Sequence, residues 1–319
     1  MSNETTFLGI SLSDNNLLFA EIISLRERME ITQLASLRMD DAFDFKSIAQ
    51  SKNIAEKISN SILSALRMKD ISPQKVALSI PDRMGLIRLL PIDSSLEKKE
   101  IRGHLLWEID QSVLSGRDDY ITDFSCLTTE EQDYTRVLLV AVRKTVINII
   151  KQAFNQTGLS LTAIDFDVFT AIRALNENYE LRENSYNIII QFLPTYIQVV
   201  VLHGEELTYI EDFPHPGNTE TDATGRNLEM AEFVYNNISK LILRSLPNKE
   251  VSDIDRIFLF GRALPVGLLE DLQDLFSAPV DVVNPFNKII LSSIAEESLG
   301  THDPHDFLIA VGAALRGLS

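Results

Sequence analysis

Cysteine is nearly absent from this chain: Cys126 stands alone among 319 residues. A single thiol forms neither an internal disulfide nor a cysteine metal cage, and its isolation suits a reducing compartment. Basic charge is scarce as well. Lys and Arg number 29 against 46 Asp and Glu, giving a net charge of −17. The summed field therefore repels phosphate backbones and anionic lipid alike, which disfavours a nucleic-acid partner and direct membrane insertion. No apolar run approaches the ~20 residues that span a bilayer. Residues 1–6 (MSNETT) lack the basic-then-apolar pattern of a secretory leader. Gly-x-Ser-x-Gly is missing, and no histidine accompanies Cys126 locally, so no serine or cysteine nucleophile is signalled. What remains is the composition of a soluble cytoplasmic protein, 45% hydrophobic and 24% charged, with chain enough for two cores.

The same run of elements occurs twice. The first copy reads strand (Phe7 to Leu12), polar turn (Ser13 to Asn16), strand (Leu17 to Leu25), strand (Met29 to Leu37), then helix and strand (Lys75 to Ile80). The second reads strand (Tyr186 to Phe192), turn (Leu193 to Tyr196), strand (Ile197 to His203), strand (Leu207 to Phe213), then helix and strand. Self-similarity in fixed order indicates two related lobes. We expect a mixed α/β protein with a first lobe at 1–178 and a second at 179–319. Two such lobes facing a cleft resemble the layout of sugar kinases, actin and Hsp70, a duplicated actin-like, RNase H-like fold in which both first hairpins grip the phosphates of ATP.

Helices follow from apolar spacing. Ile58, Ile62, Leu63 and Leu66 mark one over Ala55 to Met68; Val146, Ile149, Ile150 and Phe154 mark another over Lys144 to Thr157, closed by Gly158 as a left-handed cap. Leu228 to Leu246 is the longest, and Pro247 follows it. Asp303-Pro304 predicts a cap and first-turn proline for a helix over His305 to Leu315. Strands Ile257 to Phe260 and Val280 to Val283 are nearly all apolar, as in a sheet covered on both faces. The first lobe also holds an insert, at about 83–135, which the second lacks. It reads strand (Gly85 to Pro91), helix (Leu96 to Val113, with Ile101, Leu105, Ile109 and Val113 in one stripe) and strand (Tyr120 to Thr128). Such a unit is either a stabilising subdomain or a partner-binding one.

The series Val76-Ala77-Leu78-Ser79-Ile80-Pro81-Asp82, Arg88-Leu89-Leu90-Pro91, a helix with Glu108, and Asp119-Tyr120 resembles the pattern of PilM, the actin-like protein of type IV pilus assembly. Val137 to Ala141 and Leu161 to Asp165, each leading into a helix, continue it, as do Val283-Asn284-Pro285-Phe286 and Ala310 to Arg316. The resemblance covers nearly the whole chain and rests on order and spacing.

Against that pattern the nucleotide motifs are degenerate. The family's first hairpin has Gly-apolar-Asp-apolar-Gly and then a basic residue. Here Ser11 stands at the aspartate, Ser13 at the second glycine and Leu18 at the lysine. The second hairpin should read Asp-apolar-Gly; it reads Gln191-Phe192-Leu193-Pro194. One glycine of the adenosine-side cluster survives, in Gly261-Arg262-Ala263. Serine and glutamine supply no charge to hydrated magnesium or the attacking water. Leu193-Pro194 crowds the phosphate position and removes a donor. Asp14 is a conceivable stand-in, but Asp is favoured in a Ser-Asp-Asn-Asn turn for backbone reasons alone. Arg262 is placed either to meet a phosphate or to fill the vacated adenosine pocket and close it by a salt bridge, and without phosphate loops the second is expected.

Other candidates are weaker. His302 and His305, three apart with Asp303 and Asp306, suggest a metal pair, but an N-cap and first helical turn explain the same letters. His203 reads as a strand end and His215 as part of a turn. Asp165 and Asp167 suggest paired carboxylates; the resemblance makes Asp165 structural. Trp107 and Phe169 read as core or interface anchors.

The resemblance implies adaptor work without catalysis. The partner would be a PilN-like inner-membrane protein, held by its cytoplasmic N-terminal peptide in a groove at the first lobe and its insert, nearest the helix Leu96 to Val113 and the strand Gly85 to Pro91. Other platform proteins or further copies of the chain are additional partners. No catalytic residue, cofactor or metal is expected, and the chain would be peripheral to the inner membrane through its partner. The alternatives are a nucleotide-switched ATPase using ATP with magnesium, an FtsA-like division protein, and a GspL-like secretion module. The FtsA kind usually ends in an amphipathic membrane helix and the GspL kind continues into a transmembrane helix, whereas this sequence stops at Arg316-Gly317-Leu318-Ser319.

Overall fold

The computed structural model describes residues 4–25, 28–69, 71, 75–112, 116–127, 134–217, 227–246, 248–300 and 302–318. Val113, Thr128, Pro247 and Thr301, used above, lie outside the described residues. The chain forms two compact units: Met1–Thr170 with Leu291–Ser298 and Ile309–Ser319, and Ala171–Ile290 with Leu299–Leu308. The sequence division ran the second lobe through to residue 319. In the structure the last helix counts with the first unit.

The first unit begins with β1 (Glu4–Ser13), β2 (Asn16–Leu25), β3 (Arg28–Arg38), α1 (Phe45–Gln50), α2 (Ile54–Lys69) and β4 (Lys75–Ile80). The insert follows as β5 (Gly85–Asp93), α3 (Lys98–Ser112), β6 (Tyr120–Cys126) and β7 (Tyr134–Arg143). Then come α4 (Lys144–Asn155), β8 (Ser160–Phe166) and α5 (Asp167–Asn178), of which only the first turn, through Thr170, counts with this unit. β1, β2 and β3 form an antiparallel meander, while β4 and β8 run parallel to β1. Two parallel strands in succession require helical crossovers, which α2 and the insert with α4 provide. α2 buries Ile58, Ile62, Ala65 and Leu66, and α4 buries Val146, Ile150 and Phe154. Gly158 ends the latter with φ +76°, as its position predicts.

The insert reaches further than expected. β7 is the central strand of a separate sheet in the order β5-β7-β6, so the insert takes in residues beyond 135. Alternation along β7 divides its side chains. Val137 and Leu139 face α3, where Ile101, Leu105 and Ile109 cover them; Val140 and Val142 turn to the other face.

The second unit holds β9 (Tyr186–Phe192), β10 (Tyr196–His203), β11 (Glu206–Pro214), α6 (Leu228–Ser245), β12 (Ile254–Phe260), α7 (Leu268–Leu275) and β13 (Val280–Val282). Its sheet runs β11-β10-β9-β12-β13, the counterpart of β3-β2-β1-β4-β8. The repeat read in the letters is therefore a repeat of topology. α6 and α7 bury Val234, Ile238, Leu241, Leu268 and Leu272 against it. The chain ends with β14 (Ile290–Leu291), the outermost strand beside β3, then α8 (Ser293–Leu299) and α9 (Leu308–Leu318).

The expected helix over His305 to Leu315 starts later, as α9. A single 3-10 turn at Pro304–Phe307 precedes it, and the Asp303 side chain makes no capping hydrogen bond. α9 lies directly on β1: a Cβ on Gly9 would sit 1.9 Å from the Ala310 carbonyl oxygen and 2.3 Å from the Ala314 nitrogen. Among the described residues no helix is long and apolar enough to cross a membrane.

Candidate functional site

Each hairpin can be judged on its own geometry. In the first, Ser11 is 1% exposed and lies opposite Leu18 on β2 and Ser79 on β4. Its hydroxyl has no hydrogen-bond partner among the described residues. Leu18, at the position of the family's lysine, is buried. Ser13 is half-buried and faces Asn16 across the turn. Asp14 takes φ +50°, in the left-handed region that Asp tolerates better than most residues. The carbonyls of Asp14 and Asn15 accept the N–H groups of Phe43 (2.6 Å) and Met39 (2.7 Å), tying residues 39–43 to this turn.

In the second hairpin, Gln191 is buried opposite Gln198 and Phe260. Leu193 is buried, and its N–H donates to the Tyr196 carbonyl at 3.0 Å, closing a tight turn whose tip is Pro194 and Thr195. Gly261 has φ +115°, and a Cβ there would meet the Phe192 carbonyl oxygen at 2.3 Å. The surviving glycine is thus required by packing against β9. Arg262 is exposed, and no ion pair is found for it among the described residues, so the salt bridge expected for it is not seen.

Three parallel strands end together in the first unit, with Ser11, Ser79 and Asp165 in register across β1, β4 and β8. Carboxyl ends of parallel strands are where open α/β sheets place their sites. Here they form a network of hydroxyls and carboxylates. Ser79 Oγ donates to Asp167 Oδ1 at 2.6 Å and lies 3.1 Å from Thr170 Oγ1. Asp82 Oδ1 accepts the Val168 N–H in the first turn of α5, at 3.1 Å. Asp167 is 2% exposed. Burial pushes its carboxyl up to about 7; the Ser79 hydrogen bond opposes this, and the charges of Asp14 and Asp165 add to it. Sequence reading missed Ser79 and Thr170 as neighbours of Asp167, since isolated hydroxyls carry no spacing signal. Among the described residues no three His, Cys, Asp or Glu side chains are arranged to hold a metal ion. His305 is buried, with ring nitrogens 3.9 Å from Asp303 and Asp306.

The larger feature is a groove of about 840 Å³ in the first unit. One wall is β8 along its whole length, and β8 is the edge strand of the six-stranded sheet. The opposite wall is the face of the insert sheet that α3 leaves open, with Ile121, Asp123, Val140 and Val142. Phe154 of α4 and Phe169 of α5 add apolar surface, while Lys151 and Arg316 supply cations. The sequence reading set the helix Leu96 to Val113 and strand Gly85 to Pro91 nearest such a groove. Neither lines it: α3 covers the other face of the insert sheet, because alternation along β7 sends Leu139 and Val140 opposite ways. Trp107 on α3 is 55% exposed, on the far side of the insert.

Residues 9–247 match the family profile described as type IV pilus assembly protein PilM. The chain belongs to the PilM family. The resemblance read from motif order is borne out, and with it the actin-like fold. A solved structure titled as a PilM-PilN type IV pilus biogenesis complex superposes with a TM-score of 0.74 at 18% identity, covering 98% of each chain. A protein from Bacteroides thetaiotaomicron, described as having an actin-like ATPase fold and unknown function, gives a TM-score of 0.49 at 14% identity, covering 94% of this chain and 96% of the other. The cytoplasmic domain of EpsL, an inner membrane component of the type II secretion system of Vibrio cholerae, gives 0.48 at 9% identity over 99% and 96%. No curated protein sequence matches significantly.

Proposed function

We propose that this PilM-family chain is a cytoplasmic, non-catalytic adaptor that holds the N-terminal cytoplasmic peptide of a PilN-like inner-membrane protein in the groove beside β8. The observation that carries this reading is the pairing of a free sheet edge with an apolar wall. In a parallel ladder every second residue of an edge strand turns its N–H and C=O away from its neighbour. An extended peptide laid along β8 gains those hydrogen bonds, and its alternate side chains meet Ile121, Val140 and Val142. The similarity to a chain of a PilM-PilN complex supports the identity of the partner. Through that partner the chain would sit peripheral to the inner membrane, where other platform proteins or further copies of itself could join it. The net charge of −17 argues against nucleic acid as a partner.

The pseudo-ATPase part of the proposal draws on the hairpins. Ser11 is uncharged and buried, Gln191 is uncharged, Leu193 turns its side chain inward, and Gly261 has no room for change. These residues do not fit magnesium-bound ATP as the family pattern would hold it. A nucleotide-switched assembly factor is the second reading, favoured by the nearness of Asp14 and Asp165 to Asp167. Calorimetry on the purified chain with ATP and magnesium separates the two. Silence at millimolar nucleotide supports the adaptor, and micromolar, magnesium-dependent binding supports the switch.

A further inference from the structure

We infer that Arg143 clasps the insert sheet to the core of the first unit and so fixes the width of the groove for its extended occupant, an inference that rests on the peptide-docking reading. Arg143 is the last residue of β7 and directly precedes α4. Its guanidinium carbon lies 5.2 Å from the ring centroid of Phe45 and 5.8 Å from that of Tyr120. Its Nε also donates to the Tyr120 hydroxyl at 3.0 Å. Both rings are within cation–π range of one guanidinium.

The two rings belong to different bodies. Tyr120 opens β6, and Ile121 and Asp123 of that strand form the groove wall. Phe45 opens α1, in the segment whose Met39 and Phe43 N–H groups bond the first hairpin's turn. One guanidinium therefore ties the groove wall to a segment anchored on the six-stranded sheet. Its position is mechanically favourable. Gly85, Tyr120 and Arg143 lie at one end of the insert sheet, where the register pairs Gly85 with Val142 and Tyr120 with Arg143. The far end of β6, at Cys126 opposite Val137, has a lever arm about that hinge. A small rotation at Arg143 becomes a larger opening along β8. The 41% exposure of the Phe45 ring fits this role: the ring lies at the surface and has the guanidinium over it.

The test uses the full chain and two readouts. Spin labels at the single exposed cysteine, Cys126, and at Ser160→Cys on β8 report the distance across the groove without any ligand. A synthetic peptide copying the partner's N-terminal segment, titrated into unlabelled protein, reports affinity. The wild type gives a narrow distance distribution. Arg143→Ala and the surface change Phe45→Ala each broaden it and weaken the peptide by about three- to tenfold. Arg143→Lys keeps a cation over the rings but loses the Nε donor, and falls between. A distribution in Arg143→Ala as narrow as in the wild type overturns the clasp, whatever the peptide does. Broadened distances with no peptide binding to the wild type leave the clasp standing and overturn the adaptor reading.

Discussion

Ser79 on β4 donates a 2.6 Å hydrogen bond to the carboxyl group of Asp167, the residue that opens α5. The contact joins the end of β4 to the first residue of the helix that follows β8. The carboxyl is buried, and the charges of Asp14 and Asp165 act on it. Its folded pKa of about 7 lies above the ordinary value of 3.8.

That difference makes stability depend on pH with a defined sign. Between the two values the folded chain keeps a proton that the unfolded chain has released, so the folded state binds more protons and loses stability as pH rises. The contribution is fully present below about pH 4 and is lost as pH passes about 7. Urea unfolding at pH 5 and pH 8 should show the wild type losing a few kcal/mol more than Asp167→Asn across that interval. An equal pH slope in both proteins would contradict the buried proton.

Two glycine substitutions should act in opposite directions. Gly9→Ala forces a methyl into backbone atoms of α9 at 1.9 and 2.3 Å, where no side chain can yield. It should cost more than about 3 kcal/mol or prevent folding. Gly103 lies inside α3 with nothing within 4 Å of a new Cβ. Gly103→Ala should stabilise by about 0.5–1 kcal/mol. Thermal melts of the pair check the packing of α9 on β1.

Restoring the family's aspartate should harm the protein. Ser11 is 1% exposed and in register with Ser79 and Asp165, so Ser11→Asp adds a buried carboxylate to a site that already holds Asp165 and Asp167. We expect a loss of about 3 kcal/mol or more from burying an unpaired charge. Recovery of the lost stability on adding magnesium and ATP would argue instead for a latent nucleotide site.

The two faces of the insert should differ in function. Ile121→Asp charges the groove wall and should weaken partner peptide at least about tenfold, since it buries a carboxylate against an apolar strand. Trp107→Ala, on the outer face of α3, should leave that affinity unchanged. A result the other way round would return the binding surface to α3.

Much of the fold was legible because local pattern and tertiary role agree. β4 and β9 fall where apolar runs placed them, and Gly158 caps α4 because the chain needs a left-handed residue there. The duplicated meander was readable from order alone. The insert's true extent was not: Tyr134–Arg143 reads like a core strand, and only its pairing with both β5 and β6 shows otherwise. The cavity beside β8 was not legible for a related reason. Leu139 and Val140 are equally apolar neighbours, and no letter says which one meets α3. The Asp167 network was hidden because Ser79 lies 88 residues from Asp167 and 91 from Thr170 in sequence.

The central claim is most directly tested by fluorescence anisotropy. A labelled peptide with the sequence of the PilN-like partner's cytoplasmic N-terminus is titrated with the full chain, with and without magnesium and ATP. The account predicts saturable binding whose affinity is the same in both conditions and falls in Val140→Asp. No binding, or binding that appears only with magnesium and ATP, would contradict it.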